Sequence, residues 1–125
     1  MKYVIQEHHN LQVLYVDNLM YETENRNLLN ELTEGIKEGK KNLVVSLNQV
    51  QFLNSTGLRF LISLLTKTRN SGGDTVLIHV PEQVKKLLVM TKLQSIFPIF
   101  DSLDMVEAAE IFEKQTALSD SESIN

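Results

Sequence analysis

Residues 43–58 read LVVSLNQVQFLNSTGL and are the most informative part of the chain. The run from Leu43 to Leu47 is short, β-branched and nearly all apolar, which is typical of a strand covered on both faces inside a sheet that carries helices. The residues Asn54-Ser55-Thr56-Gly57 then supply side chains that cap a helix start, and the leucines after them recur at helical spacing. The segment therefore predicts a central strand that leads into a helix.

The chain before this segment predicts a β-hairpin followed by a helix. Apolar and polar residues alternate between Tyr3 and Tyr15, and His8-His9-Asn10 interrupts the alternation as a turn. From Tyr21 to about Lys37, apolar residues recur every three to four positions, which indicates an amphipathic helix. Gly39 suits the C-terminal stop of that helix.

The chain after the segment alternates helix and strand. The predicted elements are a helix that ends near Asn70, a strand at 75–79, a helix from Pro81 to about Met90, an edge strand or extended connector at 97–100, and a last helix capped by Asp101 or Ser102 that carries Leu103, Val106, Ala109, Ile111 and Phe112. Such alternation implies parallel strands joined by right-handed crossovers.

The predicted fold class is thus α/β, with a mixed β-sheet of four to five strands, an N-terminal hairpin and helices packed on the sheet. Hydrophobic residues make up 42% of the 125 residues, which is the profile of one globular domain. We expect that domain to span residues 1–117. The tail at 118–125 is mostly serine and acidic residues, so we expect it to be disordered.

Composition limits the classes of partner and compartment. The formal net charge of -4 opposes binding to nucleic acid or to anionic lipid, and no apolar run has the length of a membrane span. The absence of cysteine and of an apolar secretory segment predicts a cytoplasmic protein. His8, His9 and His79 lack metal-ligand spacing, and the glycines match no dinucleotide or phosphate-loop motif, so we expect neither metal nor cofactor.

The start of the second helix is the candidate site. Asn54, Ser55 and Thr56 place an amide and two hydroxyls where unpaired backbone N–H groups and the positive end of the helix dipole favour an anion. A plain helix cap by Asn54 or Ser55, worth about 1 kcal/mol, explains the same residues. Projection of the helix at about 100° per residue places Leu58, Leu61, Ile62 and Leu65 on the buried stripe. Phe60 falls off that stripe, either as an exposed partner anchor or covered by another element, while Arg59 lies on the solvated face.

The order of these motifs resembles the STAS family, the domain of bacterial anti-sigma factor antagonists. The resemblance covers roughly residues 3 to 115. It rests on the apolar strand from Leu43 to Leu47, Asn54-Ser55-Thr56-Gly57 at a helix start, the Gly72-Gly73 turn, the strand from Val76 to Val80, the basic pair in Val84-Lys85-Lys86-Leu87, and the amphipathic segment from Leu103 to Phe112.

The resemblance implies a protein that binds an anti-sigma factor serine kinase and is phosphorylated by it. The matching acceptor is Ser55, with Thr56 as second choice. Together with the helix projection, the resemblance predicts a partner surface of Asn54, Ser55, Thr56, Gly57, Arg59 and Phe60 at the helix start, and Asp17, Asn18 and Met20 in the loop after the second strand. The family's acidic residue before the serine is Asn54 here, and a second acidic position aligns with Met20, although Asp17 lies nearby.

Three functions follow, in order of preference. The first is an anti-sigma factor antagonist that exchanges partners under the control of phosphorylation at Ser55. The second is a STAS scaffold or adaptor whose binding does not depend on phosphate, which Asn54 and Met20 favour. The third is a small enzyme with Ser55 as nucleophile; because the chain has no Gly-x-Ser-x-Gly elbow, we expect no catalysis.

Overall fold

The computed structural model describes residues 1–8, 10–109 and 111–112. The strands are β1 (Tyr3–His8), β2 (Leu11–Val16), β3 (Asn42–Ser46), β4 (Thr75–Ile78) and β5 (Ile99–Phe100), and the helices are α1 (Glu22–Lys37), α2 (Ser55–Asn70), α3 (Glu82–Met90) and α4 (Leu103–Ala108), with a 3-10 turn at Leu93–Ser95. The last helix ends earlier than predicted, because Ile111 and Phe112 lie in a turn beyond it. The predicted tail at 118–125 lies outside the described residues.

The five strands form one mixed sheet in the order β1-β2-β3-β4-β5. β1 and β2 are antiparallel, as the predicted hairpin requires, and the strands from β2 to β5 are parallel to one another. β3 is the central strand and all five of its residues are buried. The prediction of an α/β fold with an N-terminal hairpin is confirmed, and the short strand at Ile99–Phe100 lies at the sheet edge, where its neighbour Pro98 is tolerated.

The two faces of the sheet bury different side chains because alternate residues of a strand point to opposite sides. Leu14, Leu43, Val45 and Leu77 pack with the apolar stripes of the three longer helices in the larger core cluster. On the opposite face, Val13, Val44, Val76 and Ile78 pack with Val106 and Phe112. No helix among the described residues is both long enough and apolar enough to cross a membrane.

Two glycines close the turns that return the chain to the sheet. Gly39 has a φ of 100°, which other residues rarely adopt, and it follows the end of α1 as predicted. Gly73 precedes β4, and a Cβ atom there would lie 2.0 Å from the Lys41 carbonyl oxygen, so only glycine permits this close approach. These two turns set the position at which α1 and α2 lead into β3 and β4.

The buried face of α2 differs from the projected one. Its buried residues are Gly57, Phe60, Leu61, Leu64, Leu65 and Thr68, whereas Ile62 is exposed and Leu58 is only half-buried. Of the two alternatives left open for Phe60, the exposed partner anchor is therefore wrong, and cover by another element is what the structure shows. α2 packs against α1 as well as the sheet, so its buried arc is wider than one stripe and includes the aromatic ring.

Candidate functional site

The start of α2 is a capped helix N-terminus that presents a serine to solvent. Asn54 adopts an extended backbone, and its Oδ1 accepts a hydrogen bond from the Gly57 N–H at 3.0 Å. This contact is the Asn cap considered from the sequence. Ser55 follows as the first helical residue and is exposed, so its hydroxyl group is accessible beside the positive end of the helix dipole.

The loop after β2 lies against this helix start. Asn54 Nδ2 donates to the Met20 carbonyl oxygen at 3.4 Å. On the buried side of the helix start, Gly57 also lies close to this loop, because a Cβ atom at Gly57 would be 3.1 Å from the Leu19 carbonyl oxygen. The buried Asn25 side chain holds the loop from α1, with Nδ2 2.9 Å from that same Leu19 oxygen. The structure thus brings together the loop and the helix start that the sequence analysis grouped.

Asp17 uses its carboxylate within the loop and its neighbouring strand. Oδ1 accepts from the Lys2 backbone N–H at 2.9 Å and from Asn18 Nδ2 at 3.1 Å. The Lys2 N–H is the main cause of a pKa below the ordinary value for this carboxyl group. Asn18 Oδ1 in turn accepts from the Met20 N–H at 3.3 Å. Asp17 and Asn18 therefore shape the loop that presents Met20.

Three exposed apolar side chains belong to the segments that meet at Ser55. Phe52 is 74% exposed, Tyr21 is 57% exposed and Met20 is 38% exposed. We call Met20, Tyr21, Phe52, Asn54 and Ser55 the Ser55 surface. Apolar side chains of this size at a free surface are typical of protein interfaces. Phe52 and Tyr21 were not among the residues predicted from the sequence. The signal that marks them is an aromatic residue two positions before the Asn54 cap of α2 and an aromatic residue at the N-cap of α1.

The remaining predicted helix residues line a shallow groove between α1 and α2. Thr56 is half-buried and Arg59 is exposed, and Arg59 Nη2 donates to Thr56 Oγ1 at 3.4 Å. The groove has a volume of about 230 Å³ and also contains Glu22 and the buried Phe60. Because Thr56 is partly covered and already hydrogen-bonded, Ser55 presents the more accessible of the two hydroxyl groups.

The two histidines among the described residues, His8 and His79, make no contact with Ser55. His8 is exposed on β1, and His79 Nδ1 lies 2.9 Å from Ser46 Oγ, not from Ser55. His9 lies outside the described residues. Within the described part of the chain, no cluster of three or more His, Asp or Glu residues has the arrangement of a metal site.

Comparison with known proteins gives a family match over most of the chain. The model of the STAS domain matches residues 2–106. BtrV of Bordetella bronchiseptica, whose name places it among the anti-sigma factor antagonists, is 27% identical over 79 residues, which are 63% of this chain and 68% of that protein.

Solved structures show the same fold at low identity. A Thermotoga maritima protein named as an anti-sigma factor antagonist aligns with a TM-score of 0.77 and 18% identity over 87% of this chain and 93% of its own. The anti-sigma factor antagonist SpoIIAA in its unphosphorylated form aligns with a TM-score of 0.72 and 14% identity over 87% of this chain and 94% of its own. The phosphorylated Bacillus SpoIIAA aligns with a TM-score of 0.69 and 10% identity over 86% of this chain and 99% of its own.

Proposed function

This chain belongs to the STAS domain family, and from that membership we propose that it is an anti-sigma factor antagonist. In this proposal the Ser55 surface binds an anti-sigma factor that is also a serine kinase, and phosphorylation of Ser55 releases it. The protein then acts in the cytoplasm by exchange of protein partners, without a cofactor or metal and without catalysis of its own.

The observation that carries the proposal is the accessible Ser55 hydroxyl at a capped helix start. The segments that meet at the start of α2 expose apolar area in Met20, Tyr21 and Phe52, and burial of such area is the main favourable contribution to protein association. A kinase must reach the acceptor oxygen, and Ser55 is the exposed first residue of α2. Relatives named as anti-sigma factor antagonists, one of them solved in a phosphorylated form, support the same assignment.

The physical basis of the switch is charge at the interface. Phosphorylation adds about -1.5 to -2 charges and three acceptor oxygens. The helix N-terminus favours a negative charge, so the modified domain stays folded. A partner surface that matches the neutral hydroxyl and the apolar rim must instead desolvate that charge, which weakens binding.

A scaffold or adaptor role without phosphate control is the second candidate. Asn54 and Met20 stand where the resemblance implies acidic residues, and the Asp17 carboxylate is hydrogen-bonded to the Lys2 N–H. Acidic residues beside an acceptor hydroxyl orient it or take its proton during phosphoryl transfer. Their replacement favours slow phosphorylation and a partner that binds constitutively.

Affinity capture from native lysate, followed by mass spectrometry, tests the proposal. We expect the unmodified protein to retain an anti-sigma factor with a kinase domain, and the Ser55→Asp variant to retain several-fold less. Ser55→Ala, which adds no charge, is the matched control and should retain the same partner. If Ser55→Asp captures as much anti-sigma factor as the wild type, the charge mechanism is wrong; if neither captures one, the antagonist role is wrong.

The phosphorylation step has a separate test. We expect intact-mass and peptide analysis of protein from kinase-proficient cells to find a phosphate on Ser55. If only unmodified Ser55 is found, the scaffold role replaces the switch. A serine-directed phosphonate distinguishes the third function, since we expect no adduct on Ser55, and an adduct would indicate an activated nucleophile there.

A further inference from the structure

We propose that the cleft beside His79 binds a small organic anion that carries a flat apolar group. The cleft has a volume of about 320 Å³, within the range of small-molecule sites. It lies at the carboxyl ends of β2, β3 and β4, which is where ligands bind in parallel sheets. It shares no lining residue with the Ser55 surface, so it is a separate site.

The floor of the cleft is one row of side chains across the sheet. Val4 pairs with Tyr15 and Tyr15 pairs with Ser46, so the three side chains lie on the same face. All three line the cleft. Tyr15 is half-buried and Val4 is exposed, so they offer a flat aromatic ring and an apolar neighbour to a ligand. This half of the cleft suits the apolar part of the proposed ligand.

His79 forms the polar end of the cleft and has an unusual backbone. Its φ is 52°, in the left-handed region that non-glycine residues rarely adopt. Its Nδ1 lies 2.9 Å from the hydroxyl of Ser46, which is only 2% exposed, so a buried group sets the orientation of the ring. This contact occupies Nδ1 and leaves Nε2 as the ring nitrogen for a ligand. Residues in such conformations cluster at functional sites.

The charge of the lining favours an anion. Lys2 and His79 bring basic groups, and Asn48 and Gln49 bring amide donors. No acidic side chain is among the described residues that line the cleft. In a chain of net charge -4, this local excess of donors is a distinct feature. A carboxylate or phosphate ester is the chemistry that such a set of donors binds.

Titration of the 125-residue protein with benzoate, followed by amide NMR, tests this site. Benzoate carries both the anion and the flat ring, and we expect saturable shifts at residues 46–49 and 79 with a Kd on the order of 1 mM. Benzamide, which lacks the charge, and acetate, which lacks the ring, should each bind several-fold more weakly. Equal binding of benzamide, or the absence of saturation with benzoate, would overturn the proposal.

Two variants locate the binding at His79. Glycine adopts the left-handed backbone without strain, so His79→Gly should fold normally and lose at least tenfold in benzoate affinity. His8→Gln removes a histidine from the exposed face of β1 and should bind as the wild type does. Unchanged benzoate affinity in His79→Gly would contradict the assignment. Neither variant alters the Ser55 surface, so anti-sigma factor capture by both stays intact whatever the outcome here.

Discussion

Asn54 joins the two segments that form the Ser55 surface, because its amide caps α2 and reaches the Met20 carbonyl oxygen. Oδ1 accepts from Gly57 N–H at 3.0 Å, and Nδ2 donates to Met20 O at 3.4 Å. An aspartate in its place keeps the capping oxygen, loses the donor, and adds a negative charge beside Ser55. The residue is therefore a structural cap, and in the proposed switch its charge also affects phosphorylation of Ser55.

The first prediction concerns this cap. Asn54→Ala should lower the free energy of unfolding by about 1 kcal/mol, because the Gly57 N–H loses its acceptor. Asn54→Asp is the matched control: it keeps the cap, so stability stays near that of the wild type, and phosphorylation of Ser55 by the captured kinase should become faster. Urea unfolding and phosphate incorporation measure the two effects. An Asn54→Ala variant with the same free energy of unfolding as the wild type would show that the cap does not contribute to stability.

The second prediction separates the two phenylalanines. Phe60 is 4% exposed, so Phe60→Ala should cost about 3–5 kcal/mol through the cavity that it leaves. Phe52→Ala should change stability by less than about 0.5 kcal/mol and reduce capture of the anti-sigma factor. Thermal unfolding and affinity capture of both variants check this. If Phe52→Ala captures as much anti-sigma factor as the wild type, Phe52 does not take part in partner binding.

These residues also mark the limit of what the sequence predicts. The position of Ser55 at an exposed helix start follows from Asn54-Ser55-Thr56-Gly57 alone, because the capping chemistry is local. The burial of Phe60 does not, since it depends on α1 packing beside α2. Thr68 illustrates the same limit. Its hydroxyl lies 2.8 Å from Thr75 Oγ1, so this polar side chain is buried with a hydrogen-bond partner. A pattern of apolar residues does not predict the burial of a polar one.

At the scale of elements, α2 is placed by close backbone contact with the loop after β2. A Cβ atom at Gly57 would lie 2.5 Å from Leu53 Cδ1 and 3.1 Å from the Leu19 carbonyl oxygen. Glycine in a helix costs stability through its backbone freedom, so its presence in the first turn reflects this tight approach. The contact keeps the loop and the helix start in register on the Ser55 surface.

The third prediction tests that contact. Gly57→Ala should lower stability by about 1–3 kcal/mol despite the higher helix propensity of alanine, because Leu53 and the Leu19 backbone must shift. Lys67→Ala, at an exposed position of the same helix, is the control and should be close to neutral. The measurement is urea unfolding of both variants. A Gly57→Ala variant more stable than the wild type would mean that the loop does not pack closely there.

Element bounds were largely predictable because local signals mark them. Gly39 ends the region of α1, Pro98 limits β5, and Ser102 caps α4 through the Met105 N–H at 3.3 Å. The face of α2 was not predictable, since apolar residues at 58, 60, 61, 62, 64 and 65 fit more than one stripe. The spacing of apolar residues predicts that a helix forms here, but which side of the helix is buried depends on the elements that pack against it.

At the scale of the whole molecule, Asp17 connects the N-terminal strand to the Ser55 surface. Its carboxylate accepts from the Lys2 N–H beside β1 and from Asn18 in the loop that carries Met20. The hydrogen bond from the Lys2 N–H is the main reason why the pKa of Asp17 is below its ordinary value, which makes this connection sensitive to acid.

The fourth prediction gives the sign of that dependence. A carboxyl group with a lowered pKa in the folded state contributes stability above its unfolded pKa of about 3.9, and that contribution is lost as the pH falls through the folded value. Asp17→Asn should therefore show a smaller loss of stability than the wild type as the pH is lowered below about 4. Urea midpoints across that range measure the difference. Parallel curves for the two proteins would contradict the role of Asp17.

In the proposed switch, the domain is a rigid platform whose partner binding changes without refolding. The described residues form five strands and four helices, and these elements, with the turns at Gly39 and Gly73, hold Ser55 in place. Neither phosphorylation nor partner release requires these elements to move. Phosphate at a helix N-terminus is compatible with this platform, so the unphosphorylated and phosphorylated proteins should have similar Tm values.

The most direct measurement is the affinity of the captured anti-sigma factor for the two forms of the protein by isothermal titration calorimetry. We predict that stoichiometric phosphorylation of Ser55 weakens binding at least tenfold, which corresponds to about 1.4 kcal/mol, with the domain still folded. Equal affinities for the phosphorylated and unphosphorylated forms would contradict the claim that Ser55 controls the interaction.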